Sequence, residues 1–367
     1  MTSPVKQLHL PTRQRGTVLI LAILIVVLVS GFAVKASRDY QLSMARAEAR
    51  WHGAQAEAYL SGAESLAMYF LELDENTEVD SLLEPWAMEL PPFPIEGGMI
   101  LAEIEDASSR LNLNDIEAQF KETGDNNPNA PERFYPAQKH FLRLLQSFPE
   151  IYPVSPEDAI AILEALVDWT DTDHDISGFM GAERDYYQSL DPAYQPANAP
   201  LTSVDELRLI RYVTPELMQL LRPFIAVYAT EGGGNSGGLN VNTLHPHLLR
   251  TFNADDILTP LTAEEASSIV SENGEYASAD EFTQNSGWAS IISGENGIGD
   301  ALVNVKTNHF LVTTRVQLGE QRRSRQSLLQ RNEKSFNVVQ RRDVYDYILS
   351  LEQAPVPSGQ QEQTTDP

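Results

Sequence analysis

Hydrophobic positions fall into three regimes along the chain. From Thr17 to Val34 it reads TVLILAILIVVLVSGFAV, 18 residues without a charge. At ~1.5 Å per residue, this is about the minimum that crosses a ~30 Å hydrocarbon core as a helix. Beyond it, apolar residues recur every three or four positions at Leu42, Ala45, Ala49, His52, Ala56, Tyr59, Ala63, Leu66 and Phe70, a spacing that puts them on one helical face. This stretch is rich in alanine and has no proline between Pro11 and Pro85, so one helix of ~85 Å is expected from about Thr17 to about Leu73. Its stripe should lie on a globular head, with His52 as a hydrogen-bonded or edge-exposed core residue rather than a ligand. The third regime is alternation with period two. Phe310, Val312, Thr314 and Val316 alternate between His309 and Leu318, two further runs end near Leu329 and Arg341, and turns are expected at Gly319-Glu320 and Asn332-Glu333. Met99 to Ile104 is a further strand candidate.

Lys6, Arg13 and Arg15 precede the apolar run, which places the amino terminus in the cytoplasm and sends the rest of the chain across the membrane. A cleaved secretory signal has its small residue on the far side of the apolar centre, whereas Gly16 lies on the near side, so cleavage there leaves the membrane helix attached. Basic residues, then Gly16 and Thr17 before an apolar helix, resemble the type IV pilin class. The resemblance implies cleavage after Gly16 by a prepilin peptidase and methylation of Thr17. Most such subunits carry glutamate at the fifth mature position, but here that position is Leu21, and no acid occurs before Asp39. Lack of that carboxylate suits a subunit with nothing above it in a fibre, and it resembles the K-type minor pseudopilins of type II secretion systems.

Between the head strands, four elements recur in the same order. Leu111-Asn-Leu-Asn114, Leu144 to Phe148, Ser155 to Ala159 and Ser203 to Leu207 are followed by Leu239-Asn-Val-Asn242, Leu248 to Phe252, Thr262 to Ala266 and Ser278 to Phe282. The last two elements of each set are Ser/Thr-x-x-Asp/Glu, the signature of a capped helix start, so two related bundles of short helices are expected. They resemble the helix-hairpin-helix or SAM-like modules of K-type pseudopilins, with the glycine-rich 231–238 as the joint.

The third and fourth elements are 48 residues apart in the first copy and 16 in the second, so about 32 residues are extra. The acidic segment lies there: Asp168-Trp-Thr-Asp171-Thr-Asp173-His174-Asp175, then Gly178 and Gly181-Ala-Glu183-Arg-Asp185. Alternating carboxylates followed by a glutamate are how a loop gathers hard oxygens around calcium, and carboxylates ordered against a helical domain need neutralising. The pattern DWxDxD…GAExxYY…AN resembles the K-type signature. That resemblance implies one or two structural Ca2+ ions with Asp171, Asp173, Asp175 and Glu183 as first-choice ligands and Asp168, Asp185 and Asn198 as completions. Zinc through His174, His245 or His247 suits an oxygen-rich loop poorly.

Charge narrows the partners. Asp plus Glu total 52 against 26 Lys plus Arg, a net charge of −26, which disfavours nucleic acid and anionic lipid. Residues 101–200 hold 19 acids and 6 bases, whereas 306–342 hold 9 bases and 2 acids. The bases should form a solvated face or meet an acidic partner. There is no cysteine, hence no disulfide or thiolate site. No His-Glu-x-x-His helix or phosphate loop is present, so no enzymatic activity is expected.

These readings converge on an α+β chain: a pilin-like long helix on a small antiparallel sheet with a large inserted, duplicated helical domain. The expected divisions are a leader at 1–16, the helix at 17–73, the start of the head at 74–115, the insert at 116–300, C-terminal strands at 301–346 and a tail at 347–367. The resemblance implies a single-pass inner-membrane protein with its C-terminal domain in the periplasm, a minor pseudopilin at the pseudopilus tip supporting export of folded proteins. Its partners would be other minor pseudopilins, the inner-membrane secretion platform, the prepilin peptidase, and the secretin or secreted substrate. The alternative is a calcium-dependent minor pilin or adhesin at the tip of a type IV pilus.

Overall fold

The computed structural model describes residues 15–344 except 75, 89–90, 124–126, 128, 230–236, 271–273, 292–297, 299–301, 320 and 334. Residues 1–14 of the expected leader, most of the glycine-rich joint, and the tail lie outside the described residues.

One helix, α1 (Arg15–Glu72), runs through both the apolar segment and the alanine-rich stretch. Its window from Thr17 is long and apolar enough to cross a membrane, and none of that window is buried. Contact with the rest of the protein begins near Ala49, whose carbonyl accepts from Gln321, and Ala56, Leu60, Ala63, Ala67 and Leu71 are buried in the last third. This corrects the expected stripe. Leu42, Ala45 and Ala49 are exposed, and Leu66 and Phe70 face away from the head. The cause is geometric: a ten-residue strand spans only ~33 Å and covers about 22 residues of helix. The face nearest the sheet mixes Ala56, Ala63 and Ala67 with Leu60, Glu64 and Leu71. His52 is half-buried and lies 3.7 Å from Glu48 in an i,i+4 pair.

The sheet is antiparallel, with strand order β1 (Phe93–Ile95), β2 (Gly98–Asp106), β7 (His309–Leu318), β8 (Gln321–Asn332) and β9 (Ser335–Val344). Strand β2 pairs with β7 over its whole length, from Gly98 opposite Leu318 to Asp106 opposite Phe310. Gly98 is required at that end, because a Cβ there would lie 1.7 Å from the Gln317 carbonyl oxygen. Phe310, Val312 and Leu329 from the strands meet Ala67, Leu71 and Trp86 to form the head core.

Most of the strand arginines do not form a solvated face. Arg325 grips Glu57 of α1 through two bonds of 2.7 and 2.9 Å, and Arg341 grips buried Glu64 in the same way. Arg331 donates to both oxygens of fully buried Asp80, at 2.9 and 2.6 Å. The basic strands are therefore neutralised by acids on α1 and on the segment that follows it.

The chain leaves the sheet after Asp106 and returns at His309, so the insert is longer than expected at both ends. Residues 111–115, expected in the head, instead start the helical region: β3 (Leu111–Asn112) pairs in parallel with β4 (Ile225–Ala226). The region comprises α2 (Pro136–Leu145), α3 (Pro156–Thr170), α4 (Arg184–Gln188), α5 (Pro215–Leu221), α6 (Ala263–Ser268) and α7 (Ala279–Thr283), with β5 (Leu239–Asn240) parallel to β6 (Val303–Asn304). The two Leu-Asn-x-Asn elements do the same job. Asn114 bonds the backbone N–H and carbonyl of Leu201, and Asn242 bonds those of Tyr276, each two residues before a capping serine. A buried asparagine thereby replaces a strand partner for both backbone groups.

The halves share one core, in which Phe134, Phe141 and Leu163 join Leu248, Phe252 and Phe282. Arg143 of α2 crosses between them to the carbonyls of Thr251, Ala254 and Ile257. At the base, buried Asp106 accepts from Ser108, Asn240 and Thr243, and Ser108 meets Thr307 across the exit and re-entry points.

Candidate metal centre

Helix α3 positions the site. Ser155 caps it by accepting from the Asp158 N–H at 3.1 Å, and Pro156 begins its first turn. Glu164 and Asp168 lie one turn apart on one face, both almost completely buried. The chain then folds back over that face. Phe179 and Met180 donate backbone N–H groups to Glu164 Oε2 at 3.1 and 2.8 Å, and Ser177 donates to Asp168 Oδ1 at 2.8 Å. Glu164 is balanced by Arg133, 2.8 Å away.

Two glycines permit this close approach. Gly178 has φ +68°, and a Cβ there would sit 1.9 Å from Glu164 Oε1. A Cβ on Gly181 would sit 2.2 Å from Asp168 Oδ2. The returning chain delivers Glu183, which precedes α4 and accepts the Arg184 N–H through Oε2 at 3.2 Å.

Asp168, Asp171 and Glu183, all buried, each bring a carboxylate oxygen within 4.8 Å of the others. Asp168 Oδ2, Asp171 Oδ1 and Glu183 Oε1 are buried without a hydrogen-bond partner. Three such oxygens converging without a donor leave a large desolvation cost that only protons or a cation can relieve. Burial pushes Asp171 up to about 7, helped by repulsion from Asp173, Asp168 and Glu183. Burial likewise pushes Glu183 up to about 7, reinforced by Asp168, Asp173 and Asp175, and Asp168 moves in the same direction through burial. An all-oxygen, all-anionic donor set suits a hard divalent cation such as calcium.

The expected ligands separate into two groups. Asp171 and Glu183 are at the centre, and Asp168, expected only as a completion, lies there with them. Asp173, Asp175 and Asp185 are exposed. Asp173 Oδ1 accepts the Asp175 N–H at 2.8 Å, a local turn, and both residues contribute repulsion at the open side. Asn198, at φ +44°, uses its amide to hold the Asp173 carbonyl and lies 3.1 Å from His174 Nδ1. His247 bonds Ser147 at 2.7 Å, and no histidine joins a metal-capable cluster among the described residues. The sequence reading missed Glu164 and Arg133, and it quoted Gly178 and Gly181 without assigning them the close approach they permit. The i,i+4 spacing of Glu164 and Asp168 was the available signal for Glu164.

A second acidic group, Asp74, Asp80 and Glu84, converges at the head. It has an internal cation in Arg331, and Glu84 accepts from the Trp86 indole at 2.6 Å.

Residues 109–230, which contain the whole site, match a family model described as type II secretion system (T2SS), protein K. The type II secretion system protein K of Klebsiella pneumoniae is 31% identical over 349 residues, covering 90% of this chain and 96% of that protein. The protein of the same name from Pseudomonas aeruginosa is 31% identical over 342 residues, covering 90% and 93%. Among solved structures, the crystal structure of the GspK-GspI-GspJ complex from the enterotoxigenic Escherichia coli type 2 secretion system contains a chain that matches with a TM-score of 0.67. That match has 22% identity and covers 82% of this chain and 99% of that one.

Proposed function

The chain belongs to the type II secretion system protein K family, and from that premise we propose that it is a minor pseudopilin at the tip of a periplasmic pseudopilus. In this reading α1 anchors it in the inner membrane, with the remaining chain in the periplasm. Prepilin peptidase cleaves after Gly16 and methylates Thr17, and the missing acid at Leu21 fits a subunit that receives no neighbour above it. Its work is assembly and binding, with no catalytic step. The secretion platform would extract the long helix from the membrane, and the head would face the secretin or the exported protein.

The observation that carries the reading is the division of labour along α1. One face of its last third is buried on the sheet, while Leu66, Tyr69, Phe70 and Leu73 remain exposed on the other. A stripe of this kind suits lateral packing with further long-helix subunits. The partners proposed for it are two further minor pseudopilins, on the pattern of the GspK-GspI-GspJ complex of the structural neighbour. Full-length protein co-expressed with the two neighbouring minor pseudopilins should purify as a ternary complex. Leu66→Asp/Phe70→Asp should abolish that complex without changing the fold, and an intact complex would refute the assignment.

We assign calcium to the Asp168, Asp171 and Glu183 centre, with Asp173, Asp175, Asp185 or Asn198 completing one or two ions. Three unpartnered, buried carboxylate oxygens support that assignment. These residues would hold the ion, which supplies the positive charge that lets the loop stay closed over α3. The bulk of the two-part insert favours a tip position over a repeated one in a fibre. The adhesin alternative would use the same centre for glycan binding.

A further inference from the structure

Between the proposed calcium ligands the loop presents three large apolar side chains to solvent. Ile176 is 60% exposed, Phe179 77% and Met180 45%. Single exposed apolar residues are ordinary, but three within five positions form a patch, and this patch is held rigidly. The N–H groups of Ser177, Phe179 and Met180 are tied to Asp168 and Glu164, and Gly178 takes a left-handed turn. The loop therefore pays little conformational entropy when it meets a partner, as in an interface anchor.

We propose that Ile176, Phe179 and Met180 form a preorganised knob that inserts into an apolar socket with a basic rim on a partner protein. The surroundings of the knob select this occupant. Within residues 173–185, Asp173, Asp175 and Asp185 are exposed against one exposed arginine, Arg184. The chain as a whole carries a net charge of −26. That field repels an anionic lipid surface and complements lysines and arginines around a pocket. The inference rests on the pseudopilin reading only for its export readout.

The test uses the full chain in cells that assemble the apparatus. Ile176→Ser/Phe179→Ser/Met180→Ser should retain cation-dependent melting and co-assembly with the other minor pseudopilins, yet lower the exported fraction about tenfold or more, the scale expected when a buried aromatic anchor is lost. Phe179→p-benzoylphenylalanine should photocrosslink to a peptide of another protein in which apolar residues alternate with Lys or Arg, whereas Glu157→p-benzoylphenylalanine, on the exposed start of α3, should not. Unchanged export, or crosslinks confined to lipid, would overturn the proposal. So would binding of the wild-type chain, but not the triple variant, to phosphatidylethanolamine–phosphatidylglycerol vesicles. If the triple variant does not fold, Phe179→Ser alone carries the same test. Failure of the wild-type chain itself to co-assemble would instead refute the pseudopilin reading, whereas loss of co-assembly in the knob variants alone would overturn the proposal by placing the knob inside that interface.

Discussion

Replacing Arg331 with methionine probes the clamp that joins the segment after α1 to the strands. Asp80 is fully buried and accepts from both Arg331 nitrogens and from the Thr307 N–H at 2.8 Å, while its own N–H donates to the Val305 carbonyl. Methionine fills much of the stem volume but leaves the carboxylate with one donor. Removing one partner of a buried pair costs about 3–5 kcal/mol. At roughly 2–4 °C per kcal/mol for a folded unit of this size, the midpoint should fall by ~6–20 °C.

The loss should also depend on pH. Burial already holds Asp80 above its ordinary range against the opposing pull of Arg331, so removing that cation raises it further. A raised carboxyl stabilises the folded state at low pH, and that contribution is lost as pH rises through the folded value. Arg331→Met should therefore be more destabilised at pH 8 than at pH 5, and adding Asp80→Leu should restore much of the loss and remove the extra pH dependence. Thermal unfolding of the detergent-solubilised full chain by circular dichroism reads both quantities. A penalty under about 1 kcal/mol that is equal at the two pH values would refute the buried clamp.

Three further outcomes are expected. In chelator the protein should melt higher at pH 5.5 than at pH 8, because burial raises Asp171 and Glu183 to about 7 in the folded state while unfolding returns them to the ordinary carboxylate range; calcium should cancel or reverse that trend, and an unchanged slope in calcium would contradict the site. Gly178→Ala should cost at least ~1–2 kcal/mol by thermal unfolding and weaken calcium binding, since it adds left-handed strain and a clash with Glu164, whereas Gly274→Ala, also left-handed but in open space, should leave calcium binding unchanged. Phe310→Ala, fully buried against Trp86 and Phe336, should lower stability by ~3–5 kcal/mol.

The regular elements were legible because periodicity is local. Strand β7 matches the expected His309 to Leu318 span, and α1 matches the proline-free stretch. The face of α1 was not legible, since the sheet packs on Ala56, Leu60, Ala67 and Leu71 and leaves the equally apolar Leu66 and Phe70 exposed. Charge pairing was hidden for a different reason: Arg331 and Asp80 lie 251 residues apart, and Arg341 and Glu64 lie 277 apart. At the metal centre, the carboxylates with two-residue spacing drew attention to Asp173 and Asp175. Both lie exposed in the loop beyond Asp171, while helix α3 buries Asp168 and a reversal through Gly178 and Gly181 brings in Glu183. Those contacts depend on how the chain folds back, which spacing alone does not encode.

The most direct test is calcium titration of the full-length protein in detergent, followed by thermal unfolding, beside Asp168→Ala/Asp171→Ala. If the buried carboxylates close around the ion, the wild-type midpoint should rise with calcium, by ~2.7 kcal/mol at a hundredfold excess over Kd, fall on chelation, and lose this response in the double variant. A wild-type midpoint indifferent to calcium and chelator, or a response that survives in the double variant, would contradict a cation-ordered helical domain built on α3.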